Sequence, residues 1–185
     1  MQIAMIGAGY VGLVTGACFS EFGANVTCVD KDVNKISTLK EGKIPIFEPG
    51  LEALVQSNVQ SNRLTFTTDL KTAVEKADAV FIAVGTPSRR GDGHADLSFV
   101  FSAAEEIAPA MRNYTLIVTK STVPVGTGRQ VAEKIRRICP EADFDVCSAV
   151  APPKPHKIDE KLIFRCENFA KKICSASKNP KLLVR

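Results

Sequence analysis

The sequence predicts an α/β fold built on a doubly wound parallel sheet, and three observations predict it. Short apolar runs alternate along the chain with segments of helical spacing. The first run ends at Ile6 and passes straight into Gly7-Ala8-Gly9-Tyr10-Val11-Gly12, after which an apolar helical stretch begins. An acid, Asp30, closes the second run, 18 residues beyond Gly12. Strands that alternate with helices pair in parallel through right-handed crossovers, which places helices on both faces of one sheet.

Each element follows from its local pattern. Gln2–Ile6, Asn25–Asp30, Arg63–Thr67, Ala79–Val84, Thr115–Lys120 and Phe144–Cys147 read as buried strands. The helix after Gly9 is apolar at Val11, Val14, Cys18 and Phe22 and stops near Gly23, a natural C-terminal glycine. "FEPGLEALVQSN" predicts another helix start, with Pro49 in the first turn, Glu48 and Glu52 at the positive dipole end, and Leu51, Leu54 and Val55 on one face. At Ala151–His156, "APPKPH" excludes regular structure and marks a linker. The predicted organisation is therefore a domain over residues 1–150 and a short C-terminal tail over 151–185. In the tail, Ile158, Leu162, Ile163, Cys166, Phe169, Ala170 and Ile173 recur at helical spacing, which predicts a helix from about Ile158 to Ser175.

Charge is divided unevenly. The 185 residues carry a net +4, but residues 1–150 hold 15 Lys and Arg against 17 Asp and Glu, and 151–185 hold 9 against 3. The body is near neutral, so the expectation is no nucleic-acid surface on the fold, and any polyanion binding would concern the tail. The first basic residue is Lys31, which removes the positive n-region of a secretory signal. The run from Ile3 to Phe19 contains four glycines and lacks flanking Lys or Arg, which argues against a membrane span. A cytoplasmic protein is expected. The six cysteines, Cys18, Cys28, Cys139, Cys147, Cys166 and Cys174, show no Cys-x-x-Cys spacing, so buried free thiols are expected and no metal site.

The glycine pattern carries the chemistry. Gly7, directly after a strand, allows a sharp turn; Gly9 lets the backbone approach a pyrophosphate; Gly12 allows helix and strand to pack closely. The helix N-terminus adds N–H groups and a partial positive charge suited to phosphate. At the end of the second strand Asp30 is placed to accept hydrogen bonds from an adenosine ribose, and a carboxylate there repels a 2′-phosphate, which selects NAD over NADP. Lys31 and Lys35 complicate this, because either can attract a phosphate, Lys35 can lie along the adenosine edge, and both can simply be a solvated helix face.

Two later loops fall at strand ends, where such a sheet presents its ligand crevice. They are "VGTPSRRGDGHADL" and "KSTVPVGTG". Thr86 is placed to reach the phosphates or ribose, and Ser121 and Thr122 the nicotinamide end; the alternative is that these hydroxyls cap turns. His94, with Asp92 and Asp96 beside it, matches no metal motif and reads as a loop residue.

With those residues in view, the chain resembles the nucleotide-sugar dehydrogenase family. "GAGYVGLVTGACFSEFGANVTCVDKD", "IPIFEPGLEALV", "AVGTPSRRGDGHADLS" and "VTKSTVPVGTG" are similar to the family's N-terminal domain in order and spacing, over roughly residues 1–148. "KSTVPVG" and "RRGDGHADLS" look like the UDP-glucose branch rather than the GDP-mannose branch. The resemblance implies a Rossmann-type NAD-binding domain and NAD-dependent oxidation of the C6 alcohol of UDP-glucose to a carboxylate, in two steps through a cysteine-bound intermediate. It implies that Gly7, Gly9, Tyr10, Val11 and Gly12 form the pyrophosphate loop and that Asp30 is the ribose acid. Lys35, Thr86 and Ser121 become further cofactor contacts, and Thr122 the threonine that orders water at the reacting end.

The resemblance stops after "DFDVCS". There the family continues with Asn-Pro-Glu-Phe-Leu-Arg-Glu-Gly, whereas this chain reads "AVAPPKPHKIDEKLIF". The family's lysine, asparagine, nucleophilic cysteine and aspartate have no counterpart, and neither Cys166 in "FRCENF" nor Cys174 in "KICSAS" stands in the nucleophile's Gly-Gly-Ser-Cys context. Two expectations remain open: a nucleotide-sugar dehydrogenase chain holding the cofactor half and inactive alone, or a stand-alone NAD-binding module without turnover.

Overall fold

The computed structural model describes residues 1–88 and 95–148. The expectations for Asp92 and His94, for the proline linker, for the tail helix and for Cys166 and Cys174 fall outside the described residues. Six strands, β1 (Gln2–Ile6), β2 (Asn25–Val29), β3 (Leu64–Thr67), β4 (Ala79–Ile82), β5 (Thr115–Thr119) and β6 (Phe144–Ser148), form one sheet in the order β3-β2-β1-β4-β5-β6. Every pairing is parallel, with Ile3 beside both Val26 and Ala79, and Leu116 linking Ala79 to Asp145. The order reverses between β1 and β4, and in an open α/β sheet a crevice opens at that switch point, outside the carboxyl ends of the strands.

Strand composition explains strand position. All four residues of β4 and all five of β5 are buried, as strands covered on both faces must be, and only Thr115 and Thr119 at the two ends of β5 are polar. The edge strands β3 and β6 alternate or are only half-covered. Alternate residues of β1 face opposite layers. Ile3 and Met5 join Phe19, Leu13, Leu51 and Phe81 on one side, while Ala4 and Ile6 join Val80, Val100, Ile107, Val131 and Ile135 on the other. The first layer is supplied by α1 (Tyr10–Glu21), α2 (Val33–Lys40) and α3 (Leu51–Gln60); the second by α4 (Leu70–Glu75), α5 (Ser98–Ile107) and α6 (Thr127–Ile138).

Two local expectations need correction. Helix α1 has no single apolar face, because Gly12 through Ser20 are all buried, while Val11 and Phe22 are only partly covered. The helix lies between the sheet and α3, so both its sides are interior. Helix α3 begins at Leu51, after Gly50 in a left-handed cap (φ 84°), so Pro49 lies before the first turn and not in it. Glu48, no longer a first-turn acid, turns inward and is buried. Its buried face is the expected one, with Leu51 and Val55 covered and Leu54 packed against the same core.

Cys18 and Cys28 are fully buried and Cys139 and Cys147 partly covered, and none of these four forms a disulfide. Burial alone pushes the Cys28 thiol up to about 12. Among the described residues no helix is long and apolar enough to cross a membrane.

Candidate functional site

Gly7 turns the chain out of β1 at φ 103°, a region that side chains avoid, and a Cβ there would stand 2.7 Å from the Ala83 carbonyl oxygen. At Gly12 a Cβ would stand 1.8 Å from the carbonyl oxygen of Gly7, so the helix can lie against the turn only without a side chain. Gly9 differs from both. Its backbone is extended (φ −79°), and a Cβ would meet nothing within 4 Å. Nothing in the chain itself demands glycine there. The open space above Gly9 suits a ligand that needs close backbone approach, as the pyrophosphate of a dinucleotide does.

Gly7 and Gly9 line a cavity of about 340 Å³ together with Val29, Asp30 and Lys31 from the end of β2, Lys35 from α2, Gly85 after β4, and Phe99, Ser102 and Glu106 from α5. The cavity thus sits at the switch point, on the β1–β2 side. Asp30 is its organising acid. Oδ2 accepts the Ala8 amide at 2.9 Å and the Lys35 ammonium at 2.8 Å, and Oδ1 accepts the Asp32 amide at 3.1 Å. Burial by itself pushes the Asp30 carboxyl up, but the Lys35 bond, the two amides and the Lys35 charge outweigh it and hold the group below its ordinary 3.8. It is therefore an anion at neutral pH, tied through Ala8 to the turn and still at the cavity wall. The carboxylate is favoured above its ordinary pKa, and this preference is lost as pH falls through the lowered one.

The two lysines left open by the sequence are both paired. Lys35 binds Asp30, and Lys31 reaches Glu106 Oε1 at 2.6 Å. The Ser102 hydroxyl donates to the same Glu106 oxygen at 3.1 Å.

The remaining predicted residues lie around the cavity or beyond it. Tyr10 and Val11 open α1, and Tyr10 donates its hydroxyl to Glu48 Oε2. Burial, then the Glu48 bond and charge, push the Tyr10 phenol up to about 12. The other Glu48 oxygen is buried without a hydrogen-bond partner among the described residues. Thr86, partly covered, follows Gly85 at the β4 end. Ser121, buried, donates to the Val84 carbonyl at 2.6 Å and fixes the exit of β4 to that of β5. Thr122 beside it is exposed. The structure gathers Gly7, Gly9, Asp30 and Lys35 at one cavity and leaves Thr86, Ser121 and Thr122 at the neighbouring strand ends. Sequence reasoning missed Glu106, Ser102 and Phe99 as cavity wall and Glu48 as partner of Tyr10. The landmark "EPGL" marked Glu48 without assigning it a contact, and no local signal marked Glu106.

Comparison with known proteins follows the same geometry. The family described as UDP-glucose/GDP-mannose dehydrogenase, NAD binding domain, matches residues 1–160. The chain is 67% identical over 148 residues to a UDP-glucose 6-dehydrogenase of Rhizobium meliloti, covering 80% of this chain and 34% of that protein. It is 50% identical over 148 residues to UDP-glucose 6-dehydrogenase TuaD of Bacillus subtilis, covering 80% and 32%. Among solved structures, a GDP-mannose dehydrogenase from Pseudomonas aeruginosa superposes with a TM-score of 0.82 at 32% identity over 96% of this chain and 45% of that one. A UDP-glucose dehydrogenase from Pyrobaculum islandicum does so with a TM-score of 0.84 at 31% identity over 95% and 44%. The chain spans about a third of the length of these curated relatives.

Proposed function

The chain belongs to the UDP-glucose/GDP-mannose dehydrogenase family, and from that premise we propose that it binds NAD as the cofactor half of a nucleotide-sugar dehydrogenase acting on UDP-glucose. The observation that carries the reading is the cavity at the switch point, walled by the open Gly9 backbone and the ionised Asp30. Gly7, Gly9 and Gly12 would hold the pyrophosphate against the positive end of α1, with Tyr10 and Val11 in its first turn, and Asp30 the adenosine ribose. Lys35 keeps that carboxylate ionised and aimed. At the adjacent strand ends, Thr86 stands as a further contact to the phosphates or ribose, Ser121 as one toward the nicotinamide, and Thr122 as the hydroxyl nearest the reacting end.

The chemistry that the bound nicotinamide supplies is acceptance of a hydride from the sugar alcohol. The described residues bind and orient; none of them is assigned as a base or as a nucleophile for the second oxidation. This favours a cofactor-binding chain that does not turn over UDP-glucose alone. The UDP-glucose assignment rests on the 67% and 50% identities to enzymes of that name and on the "KSTVPVG" loop.

Calorimetric titration of the chain tests the reading. NAD binds in preference to NADP, and Asp30→Ala weakens NAD by about tenfold or more, since hydrogen bonds to a charged group contribute roughly 1.5–3 kcal/mol. Equal affinity for the two dinucleotides, or an unchanged NAD affinity in Asp30→Ala, overturns it.

A further inference from the structure

Among the described residues four charged side chains line the cavity, and they are already matched in pairs: Asp30 with Lys35, and Lys31 with Glu106. We propose that Glu106 is a specificity-determining residue, which withdraws the Lys31 ammonium from the ribose end of the cavity and thereby disfavours a dinucleotide carrying a 2′-phosphate. The inference rests on the NAD-binding reading above and deepens it.

Asp30 alone does not account for discrimination. Its charge repels a 2′-phosphate, but Lys31 follows it directly in the chain and lines the same cavity, and a cation at that place is the usual means of accepting such a phosphate. Lys35 is committed to Asp30 at 2.8 Å on a largely covered stem. Lys31 is different, because its side chain is 77% exposed and long enough to swing toward the ribose. What holds it is an acid 75 residues away on α5, at 2.6 Å. The Ser102 hydroxyl, donating to the same oxygen at 3.1 Å, fixes that carboxylate at the cavity wall.

An exposed ion pair of this kind contributes little to stability. Its consequence is local charge. With Glu106 present a 2′-phosphate meets two acids, each with its lysine attached, and finds no cavity-lining lysine unpaired among the described residues. With Glu106 neutral, the phosphate loses one repulsive charge and gains an ammonium. At separations below a Debye length such a change alters affinity for a phosphate severalfold and is screened by salt.

The test is equilibrium titration of the full chain with NAD and with NADP at low and high salt. Glu106→Gln is expected to raise the ratio of NADP to NAD affinity by about 3–10-fold at low salt, with the gain shrinking at high salt. Glu106→Ala, which cannot hold Lys31 through an amide oxygen, moves the ratio in the same direction. Adding Lys31→Met to either variant abolishes the gain. A ratio within about twofold of wild type in both Glu106 variants overturns the inference while leaving NAD binding standing, as does a gain that survives Lys31→Met. Failure of the wild-type chain to bind NAD overturns the proposed function and this inference together.

Discussion

The two halves of the crevice differ in how much of their chemistry is settled within this domain. On the β1–β2 side, Asp30 accepts two amides and a lysine, Lys31 is bridged to Glu106, and the glycine turn is locked against Ala83. On the β4–β5 side, Ser121 spends its hydroxyl on the Val84 carbonyl, Thr122 is exposed, and Val125 is as open as in an extended chain, at 106%. The first half is a built cavity, and the second offers a wall. The difference teaches that the cavity proposed for the dinucleotide takes its form from contacts within this domain, whereas the β4–β5 side takes little of its form from the residues around it here.

The sharpest way to break that comparison is within the glycine turn itself. Gly12→Ala drives a Cβ into the Gly7 carbonyl, so backbone must move, and a loss of about 3 kcal/mol or more is expected, seen as a fall in Tm of roughly 6–12 °C. Gly9→Ala places its methyl in open space, so Tm stays within about 2 °C while NAD affinity falls by tenfold or more. Equal destabilisation by the two substitutions would mean that Gly9 serves folding, and the built cavity would lose its strongest mark.

A second, smaller effect probes the brace behind the turn. The Tyr10 phenol, pushed up to about 12 by burial and by Glu48, titrates late; Glu48→Gln is expected to bring its midpoint part of the way back toward 10. Tyrosinate absorbance in a Tyr114→Phe background, which leaves Tyr10 as the one tyrosine, reads this directly. Because the folded pKa is raised, the native state holds the proton longer than the unfolded state. Stability linked to Tyr10 is therefore present below pH 10 and lost as pH rises toward 12, less steeply in the variant. An unmoved midpoint would show that Glu48 does not brace the turn.

The smallest effect belongs to the open half. Val125→Ser should change stability by no more than about 0.5 kcal/mol in denaturant unfolding, as a surface residue without packing does. A loss of 2 kcal/mol or more would mean that Val125 is covered in solution and that the open half is closed by another surface.

Much of this molecule was legible from local pattern, because local pattern is what strands and tight turns respond to. The six strand assignments agree with the structure to within two residues at each end, since central parallel strands are largely apolar runs and the edge strands alternate or are half-covered. Gly7, Gly9, Gly12 and Asp30 were legible for a related reason. The turn and the acid at the next strand end form a unit of short sequence separation whose geometry follows from strand, turn and helix alone. The start of α3 was misplaced by the attraction of Pro49, and the burial of α1 on both sides was missed, because a helix face is set by what packs on it.

By itself, then, the sequence determined the alternation of strand and helix, the glycine turn and the acid at the end of β2, all decided by residues close together in the chain. The tertiary structure alone decided which charges meet. Lys31 reads as a free cation until crossovers bring α5 beside the end of β2, and Glu48 reads as a first-turn acid until it turns inward to Tyr10. Side chains that are 75 and 38 residues from their partners become neighbours only when the sheet order is fixed. Periodicity and spacing report what a chain segment does with its own residues; they carry no record of the partner that folding places across the crevice.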